Sequence, residues 1–555
     1  MVEDINYSQE GPRLGNQYLE DSALISYLTS FMGDELGRYS GELIRFGKRV
    51  IGDIYENHLL CEKFPPVFEQ FDAWGRRVDK IYTNPAWGFM QKVSAEESLI
   101  KHGYSNIIHH RLLQFAKLYL FSPSSGLFLC PLAMTDGAAF LSRELLKAKE
   151  DPELMEAYTR LTSNNPEEFW TCGQWMTEKH GGSDVSNGTR TYAVHENGDY
   201  YKLYGYKWFT SATTADAAFA LARVDSKLSL FYLKLRNEAG ELNGIKIVRL
   251  KEKMGTKQLP TAEMILDGCR AKLVSPIGQG VKYIAHLINI TRLYNSLGAV
   301  AAMRRSIAIS RDYAYRRIAF KKPVIEYPLH QSTLSEMELS FRGCLILTIY
   351  AWNLLEKIEK NTANSWEKAT LRLITPVVKL YTAKKAVEIA SEAIECIGGV
   401  GYMENSNIAS ILRDSQVYAI WEGTTNVLSL DVLRAIATLK DPNLTYFKKT
   451  LESLGASHLI QRVENILPLL TQQHLSRKIS WEIGNTMILA LLSWQAQGTN
   501  CPCDRAIYEQ WEASNQPNLR GVNPELAKKL ATDSADGKQK VGKNVDDHGE
   551  PRTRI

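Results

Sequence analysis

The spacing of the apolar residues changes twice along this chain, and these changes constrain the fold more than any other feature. Up to residue 167 the apolar residues recur at helical spacing, as in SALISYLTSFMGDEL. From 168 to 286 apolar and polar residues alternate, which is typical of half-buried strands. From 287 to 440 the helical spacing returns. This order predicts an α+β fold with an N-terminal helical domain, a central antiparallel β domain and a C-terminal helical bundle.

Turn and cap signals place some element ends within these blocks. The tripeptide Asn-Gly-Asp at 197–199 lies between two strand-like runs, which predicts a β-hairpin. A helix of the bundle is expected to start at Thr375-Pro376 and to end at the glycine pair 398–399. The glycine cluster GGVGY follows a helical pattern and not a strand, so it does not fit a Rossmann fingerprint.

The last part of the chain adds two further regions. Residues 441–522 favour an additional helical region, whereas 523–555 are rich in Lys, Asp, Gly and Ser and predict a disordered tail. From 441 to 555 the chain has 14 Lys and Arg against 13 Asp and Glu, and the whole chain carries a net charge of only +4. A body-wide surface for nucleic acid is therefore not favoured, although a local basic patch stays open.

Composition also limits the compartment and the metal chemistry. The longest apolar stretches are much shorter than the ~20 residues of a membrane span, so no membrane partner is expected. The eight cysteines are mostly scattered, which fits a reducing compartment, and none pairs with histidine at zinc spacing. No metal site is expected. The N-terminus has no secretory pattern, so a cytoplasmic location is expected, with mitochondrial import as the open alternative.

Three short segments carry side chains that could perform chemistry. WMTEKHGGSDV at 175–185 offers hydroxyls and a glycine pair that lets a backbone approach a ligand, although a turn without a ligand would look the same. YKWFTSAT at 206–213 places an aromatic plane near a hydroxyl. If alternation holds, Trp208 and Thr210 share one face, which would suit a flat heterocycle; an ordinary core strand is the alternative.

The third segment is IWEGTTN at 420–426. Its carboxylate, Glu422, lies between Trp421 and Gly423. Apolar neighbours disfavour the charged form of a carboxyl group, and this can tune it as a base. A surface glutamate in a loop is the alternative.

Taken in order, these motifs resemble one known family. MTE-x-x-GGSD, KWF-T, R-x-x-F, GG-x-GY and WEGT follow one another as in the acyl-CoA dehydrogenase flavoproteins. The N-terminal PRLGNQYLEDSALISYL, the run DAWGRRVDKIYTNPAW and the extension after 440 resemble the AidB-like branch of that family. Some members of the branch bind DNA in an alkylation response, and a related animal member sequesters acyl-CoA.

The resemblance implies roles for individual residues. Glu422 would be the catalytic base, Ser183 and Arg292 would contact the substrate, and FAD would be the cofactor. Trp208 would cover one face of the flavin, whereas the segment of Arg317 and Phe320 would hold the FAD of a neighbouring subunit. The complete flavin-binding set implied is Gln174, Trp175, Met176, Thr177, Gly182, Ser183, Trp208, Phe209, Thr210, Arg317, Phe320, Gly398, Gly399, Trp421, Gly423, Thr424, Thr425 and Asn426.

The resemblance also implies a reaction and partners. An oxidoreductase of this kind converts a medium- to long-chain acyl-CoA into the 2-enoyl-CoA by removing an α-proton and transferring a hydride to FAD. A low-turnover flavoprotein that sequesters acyl-CoA or binds DNA is the alternative. The family is commonly a homotetramer, with a dimer as the open alternative here, and an electron-transfer flavoprotein is a candidate electron acceptor. Lys321 stands where the family usually has glycine.

Overall fold

The computed structural model describes residues 8–514, 524–533 and 553–554. They fall into two compact units. The bundle unit comprises Met1–Asp53, Arg111–Pro123 and Ser296–Ile555, and the sheet unit comprises Ile54–His110 and Ser124–Asn295. The predicted α+β class is confirmed, because helices dominate the first unit and the second contains a seven-stranded sheet. None of the helices in the described ranges is long and apolar enough to cross a membrane.

The helices lie mostly before and after the central strands. In chain order they are α1 (Ser22–Met32), α2 (Leu36–Arg49), α3 (Asp53–Lys63), α4 (Pro85–Glu96), α5 (His110–Phe121), α6 (Leu129–Ala148), α7 (Pro152–Leu161), α8 (Val185–Gly188), α9 (Gly280–Arg316), α10 (Pro328–Glu359), α11 (Ser365–Ile397), α12 (Ala409–Ser415), α13 (Thr425–Leu439), α14 (Thr445–Ser453), α15 (Ile460–Ile466), α16 (Ser476–Thr499), α17 (Pro502–Ser514) and α18 (Pro524–Thr532).

Seven of the thirteen described strands lie within the predicted β block, 168–286. In chain order, all thirteen are β1 (Arg13–Leu14), β2 (Val67–Phe71), β3 (Arg77–Tyr82), β4 (Cys172–Trp175), β5 (Tyr192–Asn197), β6 (Tyr200–Ser211), β7 (Ala217–Val224), β8 (Lys227–Lys234), β9 (Ile245–Leu250), β10 (Thr261–Leu273), β11 (Ile318–Ala319), β12 (Lys322–Pro323) and β13 (Thr553–Arg554). Strands β4 to β10 form the large sheet in the order β4-β7-β5-β6-β10-β8, with β9 on β10 and β8 also paired with β7.

The sheet is largely antiparallel, as predicted. The predicted hairpin is confirmed, since β5 and β6 pair antiparallel and Gly198 takes a positive φ of 52° in their turn. Two pairs depart from the antiparallel rule, because β7 runs parallel to both β4 and β5. The inner face is apolar, with Leu203, Phe231 and Met264 almost completely buried in one cluster. This core holds the strand ends on which the candidate site is built.

Helix α11 starts eleven residues earlier than the sequence predicts, at Ser365 instead of Pro376. Asn364 and Glu367 form a capping box in which each side chain accepts a hydrogen bond from the other residue's backbone N–H. This box satisfies two N–H groups that the helix start would otherwise leave without partners. Pro376 therefore lies inside the helix, and the prediction of a start at Thr375-Pro376 is wrong. The predicted end is confirmed, because α11 stops at Ile397 and Gly398 has φ of 74°.

Two further regions differ from the sequence prediction. Strands β2 and β3 form an antiparallel hairpin within the stretch expected to be helical. Helix α18 lies within the stretch 523–555, for which a disordered tail was expected. Its apolar face is buried: Leu526, Ala527, Leu530 and Ala531 are at most 5% exposed. The disorder prediction therefore fails for 524–533, and residues 534–552 lie outside the described ranges.

Asp533, directly after α18, is held by the bundle. Its carboxylate lies 3.3 Å from Arg342, 3.6 Å from Arg311 and 3.9 Å from Arg304. The Arg311 guanidinium also donates to the carbonyl oxygens of Leu530 and Ala531 at 3.0 and 2.8 Å. Burial raises the pKa of the Asp533 carboxyl, but the three arginines outweigh burial and leave the pKa below its usual value. Charge pairing therefore complements the apolar face of α18.

Candidate active site

In the sheet unit, the segment after β4 forms a narrow turn. Glu178 and Gly181 exchange backbone hydrogen bonds of 3.1 and 3.2 Å. A Cβ on Gly181 would lie 2.5 Å from the Cα of Gly188, so only glycine fits there. Met176 is buried and Thr177 half-buried, whereas Gly182 and Ser183 are exposed. The turn therefore presents Gly182 and Ser183 outward and anchors Met176 in the core.

A buried ion pair joins this turn to strand β6. The Lys207 ammonium donates to Glu178 Oε1 at 2.8 Å and to the Leu221 carbonyl at 2.9 Å. The two side chains are only 0% and 4% exposed. Glu178 also accepts bonds from the Arg190 N–H at 2.7 Å and from the Thr191 hydroxyl at 2.5 Å. Several donors therefore satisfy a carboxylate that is shielded from water.

The pKa values of both partners reflect this environment. Burial raises the pKa of the Glu178 carboxyl, but Lys207 and the hydrogen-bond donors outweigh it, so the pKa falls below the usual value of 4.5. Burial lowers the pKa of the Lys207 ammonium, and Glu178 opposes that change only in part. The sequence prediction did not include this pair, although Lys207 belongs to the KWF motif and Glu178 to the MTE motif.

Strand β6 brings Trp208 next to the turn. The backbone N–H of Trp208 donates to the backbone carbonyl of Thr177 at 3.0 Å. In the pairing with β10, Lys207 faces Met264 and Thr210 faces Ala262, so the register shifts between them. Such a bulge interrupts the alternation of faces.

The bulge changes where the aromatic side chains point. Trp208 and Phe209 both contact the Lys251 ammonium, at 3.2 and 4.9 Å from their ring centroids. Phe209 is 56% exposed, whereas Thr210 is 1% exposed. Simple alternation therefore does not by itself decide whether Trp208 and Thr210 share a face, and Trp208 shares the Lys251 cation with Phe209.

Lys251 itself is part of a charged cluster under these rings. Its ammonium lies 2.6 Å from Glu263, which also accepts bonds from Arg249 at 2.9 Å and from the Tyr206 hydroxyl at 2.5 Å. Burial raises the pKa of the Glu263 carboxyl, but these donors outweigh it and lower the pKa to about 2. The sequence reasoning missed Lys251 because no local pattern connects it with Trp208.

Three polar atoms in the sheet unit could still form a hydrogen bond with a ligand. The Thr210 hydroxyl donates to the Ala262 carbonyl at 2.6 Å, so its oxygen can only accept a further bond. The buried Gln174 Oε1 and Trp175 Nε1 find no hydrogen-bond partner within residues 8–514, 524–533 and 553–554. Buried polar groups without partners are uncommon in native proteins and call for an explanation such as a ligand.

In the bundle unit, the loop before α13 holds Glu422 in an unusual conformation. Glu422 has φ of 62° and Gly423 has φ of 110°. The ammonium of Lys379, a fully buried side chain of α11, donates to the Gly423 carbonyl at 2.7 Å. A left-handed non-glycine residue costs of order 1–3 kcal/mol and persists only where the surroundings fix it. Lys379, which the sequence analysis did not identify, is one of the residues that hold this loop in place.

The residues after Glu422 start helix α13. Thr424 is the N-cap residue but makes no side-chain capping bond, and Thr425 and Asn426 lie in the first turn. Trp421 and Glu422 are half-buried. The loop and the uncapped helix start therefore lie together, as the motif order predicts, although the binding roles of these residues stay predictions.

The Arg317–Phe320 segment forms a very tight hairpin between β11 and β12. Phe320 and Lys321 are its two turn residues, with φ of 49° and 75°. The Tyr327 hydroxyl lies 2.8 Å from the Ala319 carbonyl and 3.0 Å from that of Phe320. Arg317 donates to the Gln9 side chain at 2.7 Å, and Phe320 is 90% exposed. The hairpin thus projects an aromatic ring into solvent.

The remaining predicted residues lie in two other places. Gly398 and Gly399 are exposed at the end of α11, and a Cβ on either would meet no atom within 4 Å. Arg292 is half-buried on α9 in the sheet unit. The structure thus brings together Thr177 with Trp208 in one unit and Glu422 with Thr425 in the other. In the described part of the chain, no three His, Cys, Asp or Glu side chains cluster as metal ligands would.

Three family models match the chain in consecutive order. The first is the adaptive response protein AidB N-terminal domain, over residues 11–166. The acyl-CoA dehydrogenase middle domain follows over 173–269, and the acyl-CoA dehydrogenase C-terminal domain over 278–437. These ranges contain the candidate site residues of both units.

Individual relatives agree with the family models. The chain is 46% identical over 463 residues to acyl-CoA dehydrogenase family member 11 of Caenorhabditis elegans, covering 81% of this chain and 75% of that protein. It is 30% identical over 432 residues to the putative acyl-CoA dehydrogenase AidB of Escherichia coli, covering 76% and 78%. The crystal structure of C. elegans ACDH-11 in complex with C11-CoA superimposes with a TM-score of 0.86 at 40% identity, covering 94% and 95%.

Proposed function

The chain belongs to the acyl-CoA dehydrogenase family, in its AidB-like branch, and on this premise we propose that it is an FAD-dependent enzyme that oxidises an acyl-CoA thioester to the 2-enoyl-CoA. The observation that carries the proposal is Glu422, a carboxylate in a strained loop that the buried Lys379 fixes through Gly423. A base held by its surroundings in one position is what removal of a carbon-bound proton requires.

The sheet unit offers a suitable surface for FAD. Trp208 and Phe209 present partly exposed rings, the Thr210 oxygen can accept a bond, and Gln174 Oε1 has no protein partner among the described residues. A flavin ring needs an aromatic wall and polar atoms along its edge, so these features fit the cofactor. Met176, Thr177, Gly182 and Ser183 would hold it from the neighbouring turn, as the family resemblance implies.

Each group of residues has a separate task in the reaction. The residues of the sheet unit would hold FAD, which when bound would supply the acceptor for the hydride that leaves the β-carbon of the thioester. Glu422 takes the proton from the α-carbon, and the N–H of Glu422 is a donor for the thioester oxygen on which negative charge develops. Ser183 and Arg292 would contact the substrate. The ion pair of Glu178 and Lys207 would hold the turn against strand β6.

The similarity to ACDH-11 supports a medium- to long-chain substrate. That protein was crystallised with C11-CoA, and 94% of the present chain superimposes on it. We infer an acyl chain of similar length here. An electron-transfer flavoprotein is the proposed electron acceptor, and a cytoplasmic location is proposed, with mitochondria as the alternative.

Self-association is part of the proposal. Phe320 is 90% exposed, Leu329 82% and Tyr402 76%, and all three belong to the bundle unit. Large exposed aromatic and apolar side chains of this kind are enriched in subunit interfaces. Because Phe320 and the turn 398–402 are segments that the family uses for the FAD of a neighbouring subunit, we propose a homotetramer, with a dimer as the alternative.

Anaerobic titration of the purified protein with acyl-CoAs of graded length tests the enzymatic function. The flavin absorbance near 450 nm should bleach with a medium- or long-chain thioester. The Glu422→Gln variant should retain its flavin spectrum but lose bleaching, whereas Glu452→Gln, an exposed carboxylate of α14, should behave like the parent. If no chain length bleaches the parent protein, it is not a dehydrogenase.

The second candidate function is sequestration of acyl-CoA. The complex of ACDH-11 with C11-CoA favours it, because a stable complex requires binding but no turnover. Stoichiometric acyl-CoA binding without bleaching would select sequestration over catalysis. Binding of duplex DNA that weakens steeply with salt would instead select the DNA-binding alternative.

A further inference from the structure

The bundle unit contains a cavity of about 300 Å³ whose lining includes one residue of the implied flavin-binding set, Thr425. It lies between α11, the start of α13 and the start of α16, and it is outside the turn of Glu422. Its polar lining consists of Lys384, Thr425, Arg477, Lys478, Trp481 and Glu482. Four of these belong to α16, which lies beyond the stretch that the family models match.

The cavity lining carries an excess of positive charge. Lys384, Arg477 and Lys478 form no salt bridge or side-chain hydrogen bond with any residue in the described parts of the chain. The carboxylate in the lining, Glu482, pairs with Arg462 at 3.1 Å, outside the lining. Three cations and one carboxylate that is already paired thus face one concave surface, which leaves it an excess of positive charge.

The helix starts add to this positive potential. Arg477 and Lys478 lie in the first turn of α16, where no acidic residue is present and no side chain caps the helix. The N-terminal end of a helix is its positive end, so cations there are unfavourable unless an anion compensates them. Thr425 opens α13, which also has no side-chain cap. The uncapped N–H groups of a helix start are ready donors to phosphate.

Trp481 gives the cavity a fixed aromatic wall. Its ring stacks on Tyr381 with centroids 4.1 Å apart and planes at 21°. The Tyr381 hydroxyl in turn donates to Asn485 at 2.7 Å, which holds the stack in place. The volume lies at the lower end of the range of about 300–1,000 Å³ for ligand pockets, so the cavity suits one part of a larger molecule.

We propose that this cavity binds the diphosphate group of a nucleotide. Paired phosphates match the three cations and the helix starts, and a rigid indole suits the nucleoside beside them. A compact concave site favours a small molecule over duplex DNA, which needs an extended basic stripe. The inference deepens the proposed function, because Thr425 lies in the segment expected at the flavin. FAD and coenzyme A both carry a diphosphate, so either can be the source.

Isothermal titration calorimetry of the whole 555-residue chain with inorganic pyrophosphate tests the charge recognition directly. The Arg477→Gln/Lys478→Gln variant should bind pyrophosphate about tenfold or more weakly for each cation removed, since a hydrogen bond to a charged group contributes about that much. Adenosine, which lacks phosphate, should bind much more weakly than pyrophosphate, because only the contact with Trp481 is left to it. Both substituted side chains are exposed, so the fold should persist, and far-UV circular dichroism checks this.

The matched control removes the same charge elsewhere in the same region. Lys449→Gln/Arg505→Gln changes two exposed cations of α14 and α17 that do not line the cavity, and its pyrophosphate affinity should equal that of the parent. Equal affinities of the parent and the cavity variant would overturn the proposal. Equal weakening by both double substitutions would also overturn it, because the effect would then be one of net charge.

Two nucleotide titrations identify the source of the diphosphate. A cavity variant that loses FAD affinity but keeps that for coenzyme A assigns the diphosphate of FAD, and the reverse result assigns that of coenzyme A. Loss of duplex DNA binding with unchanged pyrophosphate affinity would refute the proposal. Flavin bleaching is measured separately: pyrophosphate binding without bleaching refutes only the dehydrogenase function, and bleaching without pyrophosphate binding refutes only the cavity proposal.

Discussion

Replacing Lys207 by methionine should destabilise the sheet unit strongly. The Lys207 ammonium is fully buried and donates to Glu178 at 2.8 Å and to the Leu221 carbonyl at 2.9 Å. Methionine fills a similar volume but leaves the Glu178 carboxylate buried without its counter-charge. Breaking a buried pair in this way costs about 3–5 kcal/mol. For a unit of this length, about 2–4 °C per kcal/mol gives a loss of about 6–20 °C in the midpoint of thermal unfolding.

The measurement is thermal unfolding followed by far-UV circular dichroism, with Lys202→Met as the control. Lys202 lies in the same strand, but its ammonium is 3.4 Å from Glu196 and 49% exposed, so its removal should cost less than about 1 kcal/mol. The double variant Glu178→Gln/Lys207→Met should lose less stability than the sum of its single variants, since partners in one pair are coupled. Equal midpoints of Lys207→Met and Lys202→Met would refute the reasoning.

The same pair predicts a pH dependence with a definite sign. The pKa of Glu178 is lower in the folded protein than its usual 4.5, so the unfolded chain binds the proton more readily. The stabilisation from the ionised carboxyl is therefore fully present above pH 4.5 and is lost as the pH falls through the folded pKa. The Glu178→Gln variant should lack this part of the acid sensitivity in urea unfolding measured between neutral and acidic pH.

Two further predictions concern the turns of the bundle unit. Lys321→Gly should stabilise the protein by up to about 1 kcal/mol and so raise its midpoint of thermal unfolding, because Lys321 has φ of 75° and glycine relieves the left-handed strain. The control is Lys322→Gly in strand β12, which should lower the midpoint. Lys379→Met removes the donor to the Gly423 carbonyl, so the loop of Glu422 should be cleaved faster in limited proteolysis and kcat should fall. Lys385→Met, a more exposed change on the same helix, should alter neither quantity.

Much of the fold follows from local sequence patterns. The hairpin at Gly198 and the stop of α11 at Gly398 are set by residues whose preferences act over a few positions, and both predictions are confirmed. The start of α11 was missed because two signals competed: Thr375-Pro376 is a good helix start, but the capping box of Asn364 and Glu367 lies upstream. Proline inside a helix costs about 3 kcal/mol in an isolated helix, and the buried surroundings of α11 outweigh this cost.

The candidate site could be predicted as a set of segments but not as a set of contacts. The motifs around Thr177, Trp208 and Glu422 were visible because their residue types are unusual at those spacings. The supporting lysines were not visible, because Lys251 reaches Trp208 and Lys379 reaches Gly423 only after distant parts of the chain meet. Helix α18 was missed for a related reason, since its short apolar face is stabilised by the bundle and not by its own composition.

The position of α18 in the chain has a consequence for biosynthesis. Arg304, Arg311 and Arg342 leave the ribosome well before Asp533, the carboxylate that lies among them. About 190 residues separate Arg342 from Asp533, and at about 5–20 residues per second their translation takes about 10–40 s. Throughout that interval the three arginines share two carboxylates from earlier in the chain, Asp21 and Glu338, and still lack the third, Asp533. The helical core therefore reaches its final packing only after α18 has been translated.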